Sequence, residues 1–232
     1  RRRHTRLLTV TGVQTCALPI LKNFSSINSG IVFRKGKHLK TVSQTKTILA
    51  EATLTEEMPQ DFCIYDLNNF MLSLNNFENP TLIFNDVQVK FVSGKKSTNY
   101  RLTDKTMIVA PPDKHLTLPS NDVEFKFSED NLNWILKSAS LSSSTHISVE
   151  SNPGEVLKII TFNADNDAAT TNELELEEMS DKKFKMVFKT DNLKLIPGEY
   201  EVKISKKGIS QFKNTKDRKS TRLNSSHSQQ SR

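Results

Sequence analysis

The sequence predicts an α+β protein with two similar domains, each built from antiparallel strands and two helices. Short segments in which apolar and polar residues alternate recur along the chain, which is typical of antiparallel strands. Helical segments with capping residues occur on both sides of a proline-rich segment, Ala110–Pro119. The three prolines of that segment remove backbone donors and favour an extended connector between the domains.

The first and last segments are predicted not to belong to the protein. Residues 217–232 can be encoded by a DNA sequence whose reverse complement translates as residues 5–20. This relation is typical of a sequencing adapter read on both sides of an insert. We therefore assign residues 1–20 and 217–232 to adapter sequence and exclude them from the fold. We expect residues 1–17 and 217–232 to pack poorly.

Removing these ends changes what the composition indicates. The whole chain has a net charge of +7, whereas residues 21–216 hold 25 basic and 25 acidic residues. A high pI therefore does not predict a nucleic-acid-binding protein here. Cys63 is the only cysteine left, which excludes a disulfide within the chain and favours a reducing compartment. No apolar run approaches the roughly 18 residues of a membrane span.

The first domain is predicted at residues 21–109 and begins with a helix. Its helices are predicted at Leu21–Ile27 and at Leu67–Phe77, the second one capped by Asp66. Its strands are predicted at Ile31–Lys35, Thr47–Leu54, Phe62–Tyr65, Thr81–Asn85, Gln88–Val92 and Asn99–Leu102.

The second domain is predicted at residues 120–216, after the connector at 110–119. Ser128 caps a helix that extends to Leu141, and Leu132, Ile135 and Leu136 give that helix an apolar face. A short helix is predicted at Asn192–Ile196. The strands are predicted at His146–Glu150, Val156–Phe162, Glu173–Met179, Phe184–Phe188 and Tyr200–Ser205.

Five segments carry a resemblance to a known family. They are Leu21–Ile31, Ala50–Ala52, Ile64–Phe70, Val109–Pro111 and Pro197–Tyr200. With these segments the sequence resembles the DNA polymerase sliding clamps of T-even-like bacteriophages. The resemblance implies a DNA-clamp fold, in which the helices of both domains lie on one inner face around a central hole. It also implies that the sequence is truncated at both ends, before Leu21 and after Lys216.

The resemblance implies a function without chemistry of its own. Three copies of the chain would form a homotrimeric ring around duplex DNA, without sequence preference, and tether the DNA polymerase during viral DNA replication. A clamp loader would open the ring, and the clamp would also serve late transcription. We expect no cofactor, no metal, no catalytic residue and no membrane contact, in the cytoplasm of an infected bacterial host.

Three lysines are candidate DNA contacts, one on each of three predicted helices. They are Lys22, Lys137 and Lys194. The resemblance implies that they face the hole, where contacts to phosphates are independent of sequence and sensitive to salt. A solvated helix face is the alternative explanation for each of them.

The connector is a candidate pocket for partner peptides. The resemblance implies that short hydrophobic peptides of the polymerase and the clamp loader bind there, at Leu39, Ile108, Val109 and Pro111. The alternative is a connector that packs on its own core.

Two oppositely charged groups of residues are candidates for the interface between subunits. Residues 21–107 have a net charge of +3 and residues 108–216 a net charge of −3. A head-to-tail ring needs two different complementary patches. The basic patch would contain Lys95, Lys96 and Arg101, and the acidic patch Glu173, Glu175 and Glu177. Alternatively, these charges only protect edge strands from aggregation.

Enzymatic functions find no support in the motifs. The histidines match no metal-ligand spacing, and Gly94–Thr98 lacks the context of a phosphate-binding loop. Cys63 stands in a strand beside Ile64 and is interpreted as a core residue. The main alternative function is a non-enzymatic, β-rich phage structural or binding module, which would not have its helices on one face.

Overall fold

A computed structural model describes residues 8–10, 17–113, 117–215 and 220–225. For residues 8–10 and 220–225 it defines the backbone only. The chain divides into two compact units, and the first unit ends at Asp113. That boundary lies inside the segment for which the sequence predicts a connector.

The first unit contains eight strands and two α-helices within its described residues. In chain order they are β1 (Leu8–Val10), α1 (Ala17–Ile27), β2 (Ile31–Phe33), β3 (Gly36–Val42), β4 (Ile48–Met58), β5 (Phe62–Ile64), α2 (Leu67–Asn75), β6 (Thr81–Phe84), β7 (Gln88–Ser93) and β8 (Lys96–Arg101). One antiparallel sheet has the order β1-β6-β7-β8, so β8 lies at its edge. The other pairs are β2 with β5 and β3 with β4, also antiparallel.

The two helices of the first unit pack side by side and onto its strands. In α1 the buried residues recur at helical spacing, at Ala17, Ile20, Leu21, Phe24 and Ile27. At the start of α2 the predicted cap is present, because the Asp66 carboxylate accepts a hydrogen bond from the Asn69 backbone N–H at 2.9 Å.

The second unit contains eight strands and one α-helix within its described residues. They are β9 (Val123–Phe127), α3 (Glu129–Leu141), β10 (His146–Ser151), β11 (Glu155–Phe162), β12 (Asn172–Ser180), β13 (Phe184–Lys189), β14 (Tyr200–Ser205), β15 (Ile209–Asn214) and β16 (Ser220–Ser225). One antiparallel sheet has the order β12-β11-β10-β13, with β12 at an edge. Strands β16, β15, β14 and β9 are neighbours in that order.

Helix α3 covers the sheet of the second unit as the sequence predicts. The Ser128 hydroxyl accepts a hydrogen bond from the Asn131 backbone N–H at 3.2 Å, which satisfies an orphan donor of the first turn. Leu132, Ile135 and Ala139 are buried, and the helix packs against β11 and β12. The predicted α+β class, antiparallel sheets with few helices packed on them, is therefore confirmed.

The predicted helix at Asn192–Ile196 is wrong. A single 3₁₀ turn, Thr190–Asn192, is present, and residues 193–196 are irregular. The reason is the proline at position 197, which disfavours α conformation in the residue before it. The predicted helix was also too short to be stable without a packed apolar face.

Parts of both predicted adapter segments take regular structure. The backbone of β1 pairs with β6 and that of β16 pairs with β15, while Ala17 is buried on α1. The expectation that residues 1–17 and 217–232 pack poorly is therefore wrong for those residues; the rest of these two ranges lies outside the described residues. Any extended segment can pair with the unsatisfied backbone groups of an edge strand, so this pairing needs no particular side chain.

Asn28 holds the connector against the first unit. This residue directly follows α1 and is only 3% exposed. Its side-chain amide donates to the carbonyls of Val42 at 3.0 Å and Val109 at 3.2 Å. Its side-chain oxygen accepts from the Gly30 backbone N–H and from the Gln44 amide, both at 3.1 Å. One buried side chain thus joins the end of α1, the end of β3 and the connector.

We predict that Asn28→Ala lowers the free energy of unfolding of the first unit by about 3 kcal/mol, since it leaves several buried groups without a partner. Denaturant titration would measure this loss. Gln44→Ala is the matched control: it removes one bond from the same cluster at an exposed position and should cost at most about 1 kcal/mol. Equal effects of the two changes would contradict this role of Asn28.

Candidate functional site

The connector leaves β8 through a short capped turn. Asp104 accepts hydrogen bonds from the Thr106 backbone N–H at 2.8 Å and from the Thr106 hydroxyl at 2.7 Å, and a 3₁₀ turn follows at Lys105–Met107. Ile108 then lies over Gly30, where an added Cβ would stand 3.2 Å from the Ile108 side chain. Gly30 therefore allows the connector to approach the first unit closely.

A cleft of about 180 Å³ lies between β3 and the connector. The sheet side of the cleft is lined by Val32, Arg34, Lys35, His38 and Lys40. The connector side is lined by Ala110, Pro111, Pro112 and Asp113.

The predicted pocket residues take different positions around this cleft. Pro111 lines it. Ile108 and Val109 are partly buried at the base of the connector, where Val109 accepts the bond from Asn28. Leu39 is only 1% exposed and belongs to the core, because strand alternation directs it away from the face that carries His38 and Lys40. It does not line the cleft.

The basic side chains of the cleft were not predicted as site residues. A signal was present, since four basic side chains follow β2 within five positions, at Arg34, Lys35, Lys37 and His38. Arg34 donates to the Asp113 carboxylate at 2.6 Å, and its second nitrogen lies 3.7 Å from Asp61. Lys40 forms an ion pair with Glu51 at 2.9 Å.

Two of the three candidate DNA-contact lysines lie on exposed helix faces. Lys22 is exposed on α1, and Lys137 is exposed on α3. Lys194 is different, because the helix predicted to carry it is absent and its side chain is partly buried in the segment after the 3₁₀ turn. The helical lining predicted for Lys194 is therefore wrong.

Both strands of the predicted interface lie at sheet edges. In the first unit, Lys96 and Arg101 are exposed on β8, and Lys95 lies in the turn before it. In the second unit, Glu173, Glu175 and Glu177 are exposed along β12, and Met179, 67% exposed, follows at the same spacing.

Lys158 of β11 already binds part of the acidic edge. Its amine lies 2.6 Å from Glu173 and 3.1 Å from Glu175. Hydrogen bonds to these two carboxylates raise the pKa of Lys158 to about 12. Of the three candidate glutamates, only Glu177 has no ion pair among the described residues.

Within the described residues, no group of three or more His, Cys, Asp or Glu side chains could hold a metal ion. None of the described helices is long and apolar enough to span a membrane. Cys63 is buried, and burial, followed by the negative charge of Asp104, raises the pKa of its thiol. This position favours a core role over a nucleophilic one.

Sequence relatives point to one class of protein. The family of DNA polymerase processivity factors matches residues 14–107, a range that includes part of the predicted adapter. The sliding clamp of Vibrio phage KVP40 is 27% identical over 84% of this chain and 90% of its own length. The sliding clamp of Escherichia phage RB69 is 29% identical over 80% of this chain and 83% of its own length.

Solved structures show the same fold at low identity. A β clamp of H. pylori matches 99% of this chain and 68% of its own, with a TM-score of 0.73 and 11% identity. The PCNA of A. fulgidus, solved with the C-terminal region of FEN-1 bound, matches 97% of this chain and 100% of its own, with a TM-score of 0.68 and 13% identity.

These matches define the class: the chain has the DNA-clamp fold, with antiparallel sheets and helices packed on them. Within that class its sequence is similar to those of the sliding clamps of T4-like phages, in agreement with the resemblance noted in the sequence.

We predict that Lys158→Met removes a pH-dependent contribution to stability. The folded-state pKa of about 12 lies above the ordinary value of 10.5. The ion pairs therefore contribute fully below pH 10.5 and are lost as the pH rises through 12. The difference in free energy of unfolding between wild type and variant, measured by denaturant titration, should shrink over that range. A difference independent of pH would show that Lys158 acts through packing alone.

Proposed function

We propose that this chain is one subunit of a ring-shaped sliding clamp, the processivity factor of a phage DNA polymerase. The observation that carries this proposal is the clamp fold over nearly the whole chain, together with phage clamp relatives that span most of it. A clamp retains DNA by encircling it and needs only a local positive lining, so the neutral charge of residues 21–216 is no obstacle. The chain acts in replication inside an infected bacterial cell, in the cytoplasm, and needs neither a cofactor nor a catalytic residue.

The proposed DNA contacts are Lys22 on α1 and Lys137 on α3. Both side chains are exposed, and neither forms an ion pair within the described residues. Each can approach a phosphate without losing an existing interaction, which suits contacts that must form and break as the ring slides. Lys194 is a weaker candidate, because its side chain is partly buried.

We predict that Lys22→Glu combined with Lys137→Glu reduces clamp-dependent processive synthesis on primed circular DNA, because each change replaces attraction to phosphate by repulsion. The fold should persist, since surface changes usually alter stability by only about ±0.5 kcal/mol. The assay uses the chain with the polymerase and loader of a T4-like phage. No stimulation by the wild-type chain would contradict the proposed function itself.

The control for charge alone is Lys46→Glu combined with Lys183→Glu. These lysines are exposed and lie outside the helices and strands. This double variant changes the net charge by the same amount as Lys22→Glu combined with Lys137→Glu. An equal loss of synthesis in both double variants would show that total charge, rather than the two helix faces, determines processivity.

The ring is proposed to close through the edge strands β8 and β12 of neighbouring copies, three copies in all. Edge strands present unpaired backbone groups that can extend a sheet across an interface. Basic residues line β8 and acidic residues line β12, so the charges favour pairing of one edge with the other. Exposed ion pairs contribute only about 0–1 kcal/mol each, so strand pairing and apolar contact must supply most of the stability.

We predict that reversing Lys95, Lys96 and Arg101 to Glu weakens self-association, measured by sedimentation at low and physiological salt. Adding Glu177→Lys should restore part of it, since Glu177 has no ion pair to lose among the described residues. Adding Glu173→Lys should restore less, because it also breaks the pair with Lys158. Unchanged sedimentation of the triple variant would refute the charge-steered interface.

The cleft beside the connector is the proposed docking site for short peptides of the polymerase and the clamp loader. Pro111 and Pro112 give it a stiff apolar wall, and Asn28 fixes the base of that wall. A solved PCNA structure holds the C-terminal region of a partner protein, which supports peptide docking as a clamp property.

A further inference from the structure

One face of α3 combines an exposed aromatic ring with an exposed cation. Trp134 is the only tryptophan of the sequence, and it is 46% exposed. Lys137 follows three residues later, so the two side chains are neighbours on the helix surface. Leu141, 78% exposed, continues the same face one turn further. The proposed function uses Lys137 for the phosphates of duplex DNA and gives the indole ring no role.

Packing within the second unit does not account for the exposure of Trp134. The core side of α3 is formed by Leu132, Ile135 and Ala139, which are buried against the sheet. Tryptophan is highly buried on average, because its ring is large and mostly apolar. The indole N–H of Trp134 has no acceptor among the described residues. The helix therefore presents a large flat ring and an unused donor to solvent.

The charges around this ring favour an anionic ligand. From Asn133 to Leu141 the helix contains no acidic residue, and its two acids are confined to the first turn. Lys137 forms no ion pair within the described residues. On β12, Leu174 and Leu176 pack into the core beneath α3, so strand alternation directs the glutamates between them to the opposite face. An anion beside Trp134 thus meets a cation without facing those carboxylates.

We propose that this face of α3 binds single-stranded DNA, with the Trp134 ring stacked on an unpaired base and Lys137 in contact with a neighbouring phosphate. Every base has a flat face, so this stacking does not depend on sequence. A closed duplex offers no free base face to the ring. The binding goes beyond the proposed function, which requires only duplex DNA. A ring on a primed template meets unpaired bases where the duplex ends.

A second copy of the chain fits this face less well. An apolar interface centred on Trp134 would also bury Lys137, whose amine has no partner within the described part of the chain. Burying an unpaired charge is costly. A single strand supplies both a flat surface for the ring and an anion for the amine.

The test titrates the full chain into labelled oligothymidylate of about 16 nucleotides, which covers the usual site sizes. Fluorescence anisotropy measures the affinity. Trp134→Leu keeps apolar bulk but cannot stack, so it should weaken binding about tenfold. Trp134→Phe keeps a ring and should weaken binding by no more than about threefold. Neither change removes a charge, so the dependence of the affinity on salt should stay the same.

Lys137→Met separates the cation from the ring. It should lower the slope of log affinity against log salt concentration by about 0.7, the value for one phosphate contact on a single strand. Tyr65→Leu is the matched control, because Tyr65 is an aromatic residue that is 60% exposed and is followed by Asp66 instead of a cation. It should leave both the affinity and the slope unchanged.

The single tryptophan gives a second readout. Its fluorescence should fall when the single strand is added and stay nearly constant with a closed DNA hairpin, which offers no free base face to the ring. Absence of single-strand binding, or equal affinities of wild type and Trp134→Leu, would overturn the inference. A fluorescence change that depends on protein concentration without DNA would assign the face to a second copy and also overturn it. Stimulation of the polymerase tests the proposed function separately.

Discussion

The buried side chain of Asn28 is the interaction on which the geometry of the first unit depends. A buried amide is costly unless each of its hydrogen-bonding groups has a partner. Here both groups are satisfied, by carbonyls of β3 and the connector and by donors of Gly30 and Gln44. The apolar connector is therefore held by polar bonds at a defined distance from β3.

The positions of the charged residues indicate more about function than the net charge of the chain does. The described part of the molecule uses several of its ions within its own sheets, such as Lys40 with Glu51 and Lys158 with Glu173. Others, including Lys22 and Lys137, remain on exposed helix faces. The net charge calculated from the sequence cannot distinguish the paired ions from the exposed lysines. The distinction is the one that separates structural ion pairs from candidate contacts with DNA or peptide.

Local signals in the sequence predicted most elements, and the failures have physical causes. The caps Asp66 and Ser128 identified α2 and α3, because a side-chain acceptor at a helix start is a local interaction. Strand β9 alternates strictly in burial, but it is not among the predicted strands, because its five residues run directly into the cap of α3. The resemblance predicted a pocket at the connector, but the packing that holds the connector beside β3 could not be predicted from local patterns. Asn28, Val42 and Val109 are distant in sequence, and only the fold brings them together.

The edge strand β8 is held in place by contacts of Tyr100 within the first unit. The Tyr100 hydroxyl donates to the Asp66 carbonyl at 2.9 Å, and its ring meets Phe70 of α2 edge-on at 5.1 Å. Burial raises the pKa of this phenol above its ordinary value, so the hydroxyl keeps its proton further into the alkaline range. These contacts order the strand in the isolated subunit, without a second copy of the chain. In the proposed ring, association would lose little conformational entropy at this edge, and a ring opened by a loader could close again without refolding.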